Sequence, residues 1–257
     1  MTIRRPSRSP PRSLRLLPPR PLAFGDRGLA RAEKLENPFH MATSCLGLGS
    51  AYLCKGDLSN AIGQLKRGLA LAEAHDIGIF LPATSARLGL ALVRSGQGTE
   101  GLALLDRAVR RARFMSISAG RARFMAYLAE GHLLIGQVAE ARRWAVDALQ
   151  YAREHRESGH EAIVLRLLGD VVAREGGGGS RQVPQALYRE ALALACKLEM
   201  RPLVALCHLS LGILLAEDSR GKQGGDNLAQ ASEMLRQMNM KVWLKSTTDY
   251  PSGEALT

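Results

Sequence analysis

Gly49, Gly89, Ala129, Gly169 and Gly212 stand 40, 40, 40 and 43 residues apart. A second series, Gly56, Gly96, Gly136, Gly176 and Ser219, keeps step with the first; a third, Gly68, Ala108, Ala148, Ala191 and Ala231, has its step of 43 one repeat earlier, because the three extra residues fall inside the fourth repeat. Self-similarity at a fixed period of this length is the mark of a repeat architecture. Two helices cross closely only where the facing side chains are small, so a phased Gly/Ala series predicts one such crossing per repeat. A glycine seven residues after the crossing position supplies the left-handed residue that ends the first helix of each pair. Each pair leaves an apolar face that the next pair must cover, which builds a solenoid.

The periodicity predicts an all-α fold with helix pairs at 38–55 and 58–75, 79–95 and 98–115, 117–135 and 138–156, 158–175 and 183–198, and 200–217 and 224–238. The repeats run over about 38–76, 78–115, 117–156, 158–198 and 200–239, and a cap follows at 240–250 in which Trp243 and Leu244 pack on the last pair. "GGGGS" at 176–180 reads as a flexible loop inside the fourth repeat, since no Lys-Ser/Thr follows and no strand precedes it as a phosphate-binding loop needs.

Within one repeat, Leu48, Gly49, Tyr52, Gly56, Ala61, Leu65 and Gly68 resemble the tetratricopeptide consensus. The resemblance implies a right-handed α-solenoid of about five and a half repeats over 23–250. A second likeness lies further on. "MRPLVA" at Met200–Ala205 and "MNMKVWL" at Met238–Leu244 resemble the final repeat of a bacterial family that places tetratricopeptide-like arrays behind a signalling ATPase, often with a class III nucleotide cyclase domain. That likeness covers roughly residues 25–245. The chain has neither the Gly-Lys-Ser/Thr loop of the ATPase nor a sheet to carry the cyclase aspartates, so no activity carries over and no cofactor is expected. What the resemblance implies is the helical module alone, a regulatory or sensory part docking to a separate ATPase or cyclase. The arm of a transcription regulator is a further alternative, but no helix-turn-helix is present.

Composition fits a helical array: 46% hydrophobic residues with only 5% aromatic. The net charge is +11, of which six arginines fall in residues 1–22 with no acid among them, leaving +5 for the rest. The body is therefore only mildly basic, and nucleic acid is a disfavoured partner. The first 22 residues are a Pro/Arg-rich segment expected to be disordered, as is the tail at 251–257. No apolar run is long enough to span a bilayer. Cys45, Cys54, Cys196 and Cys207 sit in apolar helical patterns without CxxC spacing, which reads as buried reduced thiols in a cytoplasmic protein. The six histidines form no ligand pair, and His132 takes the slot held by Tyr52 in the first repeat. "RARFM" occurs at 111–115 and 121–125; both Phe114 and Phe124 are expected in the core.

The candidate site is the groove for a protein or peptide partner. In the family pattern, positions 2, 5, 9, 12 and 13 of each first helix line the concave face. These slots include Ser50 and Leu53, Leu90 and Arg94, Arg123 and Glu130, and Arg166, Asp170 and Arg174. Arg123, Arg166 and Arg174 can pair with carboxylates of a partner. Equally, Arg166 and Arg174 can balance Asp170, four residues from each.

"RGLARAE" at 27–33 echoes "RGLALAE" at 67–73, and Gly28 lies 40 residues before Gly68. Residues 25–36 are thus expected to form the second helix of an earlier repeat. Its first helix would fall where the Pro/Arg segment stands, so this helix should leave one face uncovered.

Overall fold

The computed structural model describes residues 20–118, 120–176, 181–216 and 221–248. Among these, twelve α-helices follow one another with no strand: α1 (Arg20–Lys34), α2 (Pro38–Lys55), α3 (Leu58–Ala74), α4 (Leu81–Arg94), α5 (Gly98–Phe114), α6 (Arg121–Leu134), α7 (Val138–Glu154), α8 (Ser158–Glu175), α9 (Gln182–Lys197), α10 (Arg201–Ala216), α11 (Gly221–Gln237) and α12 (Lys241–Thr248). Helices α2 to α11 pack as five antiparallel pairs, A then B, each stacked on the next. The fold is an all-α solenoid.

The crossings are as tight as the small residues imply. A Cβ on Gly89 would lie 2.7 Å from the Gly101 carbonyl oxygen and 2.8 Å from Leu105, so α4 and α5 meet nearly backbone to backbone. Across the other pairs Gly49 faces Leu65, Gly169 faces Tyr188 and Gly212 faces Leu228. The third pair solves the same volume problem in reverse: the small residue is Ala129, and the position in phase with those large residues is Ala145, buried in the same cluster.

Two kinds of turn alternate. After α2, α4 and α6 the chain turns through Gly56, Gly96 and Gly136, at φ of 78°, 91° and 83°. Gly176 departs from the expected series, with φ of −72°, and the fourth A–B connection is longer than the others, α8 ending at Glu175 and α9 beginning at Gln182. Most of the "GGGGS" loop, residues 177–180, and Ser219 lie outside the described residues. The B-to-A turns show a second periodicity that the glycine pattern does not announce. Glu36, Asp76, Ser116, Arg156, Glu199 and Asn239 all hold φ between 49° and 54°. In each, the following amide reaches back to a buried residue five positions earlier: Asn37 to Ala32, Ile77 to Ala72, Ile117 to Ala112, Glu157 to Ala152, Met200 to Ala195 and Met240 to Leu235. This is the Schellman arrangement, made here without glycine.

Helix starts follow local chemistry. The Asn37 side chain accepts from the His40 amide with Pro38 in the first turn, and Asp57 does the same for Asn60. Pro82 sits in the first turn of α4, so the expected helix from 79 begins instead as a 3₁₀ turn at Gly78–Phe80. Gly120, at φ 76°, delays α6 to Arg121, four residues past the expected start.

The twin segments bring a correction. Phe124 is buried, but Phe114, at the end of α5, is 90% exposed, because it falls on the outward helix face with Arg107, Arg110 and Arg111 and not on the buried face of Ala108 and Ala112. The cysteines also divide: Cys45 and Cys207 are buried, whereas Cys54 and Cys196 are exposed at helix ends. Helix α1 begins at Arg20, five residues ahead of expectation, and packs on α2 and α3 through Leu29 and the Glu33–Arg67 ion pair at 2.7 Å. Its outward side leaves Phe24 57% exposed under the Arg27 guanidinium. Residues 1–19 and 249–257 lie outside the described residues.

Candidate inner-face site

Each A helix touches the next A helix, from α2 through α4, α6 and α8 to α10, while successive B helices stand farther apart. The A helices therefore form the inner, concave layer. Crowding there removes two expected groove residues from the surface. Leu53 (4% exposed) and Leu90 (1% exposed) belong to the core shared by the first three repeats, since α4 is enclosed by α2, α5 and α6. Ser50 is half-buried and its hydroxyl donates to the Leu46 carbonyl of its own helix at 2.6 Å.

The remaining expected residues sort by whether a carboxylate satisfies them. Arg94 donates through Nε and Nη2 to Glu130 Oε1, at 2.9 and 2.5 Å, joining α4 to α6. Arg166 Nη1 donates to Asp170 Oδ2 at 2.7 Å. Asp170 Oδ1 accepts from the Tyr188 hydroxyl at 2.9 Å and the Ser210 hydroxyl at 3.2 Å, tying α8 to α9 and α10. Burial opposes the charge on Arg166, but Asp170 and Glu130 outweigh it, so its pKa lies above the ordinary guanidinium value. Burial first, then the Asp170 charge, drives the Tyr188 pKa well up, which keeps the hydroxyl a donor. Of the two sequence readings of Arg166, pairing within the chain is the one realised.

Arg174 differs. It is exposed and has no ion-pair partner among the described residues, so the Asp170 carboxylate balances Arg166 alone. Arg123 also lacks an acidic partner; its Nε donates to the Tyr127 hydroxyl at 2.7 Å, with the guanidinium 5.4 Å from that ring. Arg87, on the adjoining inner helix α4, donates to the Ala83 carbonyl at 2.9 Å. Burial lowers the Arg87 pKa; Tyr127 raises it and Arg123 lowers it further.

A cavity of about 760 Å³ gathers Arg94, Glu130, Arg166, Asp170 and Arg174, together with Tyr188, Ser210, Leu133 and Leu167. Ser50, Leu53, Leu90 and Arg123 do not line it. Sequence projection misses Ser210 because it occupies position 6 of its helix, next to but outside the five positions counted; Arg87 and Tyr127 share that slot. Tyr188 is missed because it stands in a B-helix column otherwise filled by Leu65, Leu105, Ala145 and Leu228. A polar-tipped aromatic in that column is the signal that marks it.

The cavity has one further wall, from the far end of the chain. The Trp243 Nε1–H donates to the Cys54 carbonyl at 3.1 Å, and Arg94 lies 5.2 Å from the same indole ring. Val242 presses on Gly56, where a Cβ would come within 2.7 Å of the Val242 Cβ. Trp243 and Leu244 pack on the last pair as expected. The reach of α12 to the first full repeat is not legible in the pattern.

No group of three or more His, Cys, Asp or Glu side chains suited to a metal occurs among the described residues, and no described helix is long and apolar enough to cross a membrane.

The geometry has clear counterparts among solved structures. BtubC (BKLC) from P. vanneervenii superposes with a TM-score of 0.58 at 16% identity, covering 86% of this chain and 91% of that one. The array is tetratricopeptide-like. A signal transduction ATPase with numerous domains from Pyrococcus horikoshii, with a tetratricopeptide repeat sensor, superposes equally well, at a TM-score of 0.58 and 13% identity. That match covers 89% of this chain and 36% of the ATPase, so this tetratricopeptide-like chain spans about a third of its length. No family model matches the sequence, and no curated protein matches it. At these identities the likeness speaks for the fold.

Proposed function

We propose that the chain is a non-enzymatic interaction module whose inner face takes an acidic peptide or protein segment. The observation that carries this is the uneven neutralisation of its arginines. Arg94 and Arg166 have carboxylate partners within the chain, whereas Arg123 and Arg174, and Arg87 behind them, have none among the described residues. A guanidinium without a counter-charge, above all a half-buried one such as Arg123 or Arg87, is stabilised by an incoming carboxylate, through bidentate hydrogen bonds. The paired residues serve differently: Glu130 and Asp170 hold the A helices in register, so the unpaired arginines are presented from a rigid wall.

A second reading gives the module its setting, as the regulatory arm of a signalling ATPase or nucleotide cyclase system in the cytoplasm. The fold shared with the sensor-bearing ATPase supports it, as do the "MRPLVA" and "MNMKVWL" segments of the last repeat. In this setting the acidic segment belongs to the ATPase or cyclase.

Affinity capture from a lysate of the source organism tests the reading, with the full chain and an Arg123→Ala/Arg174→Ala variant of matched helicity. A protein retained by the wild-type chain, lost from the variant and released by moderate salt supports an acidic partner. Retention of nothing, or of the same proteins by both forms, defeats it.

A further inference from the structure

The C-terminal helix does more than cap the last pair. An α-helix leaves the carbonyls of its last turn without intrahelical partners. In α2 the Gly56 and Asp57 amides take the Leu53 and Tyr52 carbonyls. Cys54 receives its donor from Trp243, 189 residues away in sequence. The same indole meets the Arg94 guanidinium, which is simultaneously held by Glu130. Beside it, Val242 rests on the one glycine turn whose missing Cβ leaves room for it; Gly96 and Gly136, its counterparts, have nothing within 4 Å. Three separate contacts thus converge on one seam between the last element and the first full repeat.

The two sides of α12 are held unequally. Towards α11, Met240 is 2% exposed, and Leu244 and Trp243 both pack on the terminal core. Towards α2, the contacts among the described residues include those of Trp243 and of Val242, which is itself 51% exposed. One hydrogen bond, one cation–π contact and a partly wet valine amount to a weak seam on a strongly anchored helix.

We infer that α12 is a releasable latch: Trp243 closes the inner face by joining the last repeat to the first, and the seam opens while the rest of the array stays folded. The occupant of the α2–α4 rim is this chain's own C-terminal helix. Resting on the docking role given above to the inner face, the latch regulates it, since an extended segment entering between Arg94 and Arg174 has to pass Trp243.

Hydrogen exchange with peptide resolution, read on the full chain without any partner, tests the latch apart from the docking reading. In the wild type, amides of α12 and of the α2 C-terminal turn should exchange through an opening with little dependence on denaturant, while those of α4 follow global unfolding. Trp243→Phe keeps a ring against Arg94 and removes the N–H donor; it should speed exchange at both edges of the seam about five-fold, the factor for one lost hydrogen bond. Trp243→Ala should speed it more and lengthen the maximum dimension seen by small-angle X-ray scattering, with exchange of the α4 amides unchanged. The latch is overturned if the α2 turn does not respond to either substitution, or if the seam and α4 share one denaturant dependence. A Trp243→Ala variant in which the α4 amides exchange faster as well overturns it too, since Trp243 would then hold the whole array and not one seam. None of these outcomes bears on whether an acidic partner is captured.

Discussion

Glu130 Oε1 receives two donors from Arg94 across 36 residues of sequence, and neither side chain is more than 18% exposed. The pair fixes the spacing of α4 and α6 at the point where the inner face turns polar. Removing one member strands the other in a site with little water. Glu130→Ala should therefore lower stability by about 1–3 kcal/mol, as for a partly buried charge left unpaired. Urea unfolding of the variant and of an Arg94→Met/Glu130→Leu double variant separates the two costs, and the double variant should recover part of the loss.

One substitution should act with opposite signs at two glycines. Gly63→Ala, on the open face of α3, meets nothing within 4 Å and should stabilise by about 0.5–1 kcal/mol through helix propensity. Gly89→Ala places a methyl 2.7 Å from a backbone oxygen that cannot rotate away, and should cost about 1–3 kcal/mol. Melting temperatures of the two single variants, measured side by side, check both.

The twin "RARFM" segments offer a matched pair. Phe124→Ala empties a core position and should cost about 3–5 kcal/mol. Phe114→Ser, at a residue 90% exposed, should lie within about 0.5 kcal/mol of wild type. Equal losses by denaturant titration would mean that Phe114 is covered in solution.

Burial pushes the Cys207 thiol up to about 12, and raises Cys45 in the same direction. Between its unfolded value of 9.0 and its folded value the native state retains a proton that the unfolded chain has lost. The stability this contributes is complete below pH 9 and is lost as pH climbs towards 12, at no more than about 1.4 kcal/mol per pH unit. Urea midpoints should fall between pH 8 and pH 10.5, and fall less in a Cys207→Ala variant. A flat profile would mean that the thiol is solvated.

The legible part of this fold was its period. Gly49, Gly89, Gly169 and Gly212 announce the crossings because close helix approach tolerates few residue types, and the turn glycines announce helix ends for a similar steric reason. The site was legible only in part. Arg94, Glu130, Arg166, Asp170 and Arg174 follow from helical phase, but phase cannot tell a lining residue from a buried one where neighbouring helices crowd, as at Leu90. Tyr188 enters from the outer helix layer of its own repeat, where its hydroxyl meets Asp170, and Trp243 enters from the far terminus. A repeat pattern describes neighbours, and Trp243 acts across repeats that are not neighbours.

The six matching turns from Glu36 to Asn239 have a bearing on how such an array can change. Because every joint between repeats is built from the same backbone arrangement, a forty-residue unit duplicated between Ser116 and Ile117 meets compatible joints at both ends. The contact between Trp243 and Cys54 is indifferent to joints but sensitive to their number, since each added pair carries α12 further from α2. Length in this architecture is thus free as far as folding is concerned and counted as far as closure is concerned. Gene duplication, which most repeat proteins absorb without consequence, would here turn a closed clasp into an open spiral in a single step.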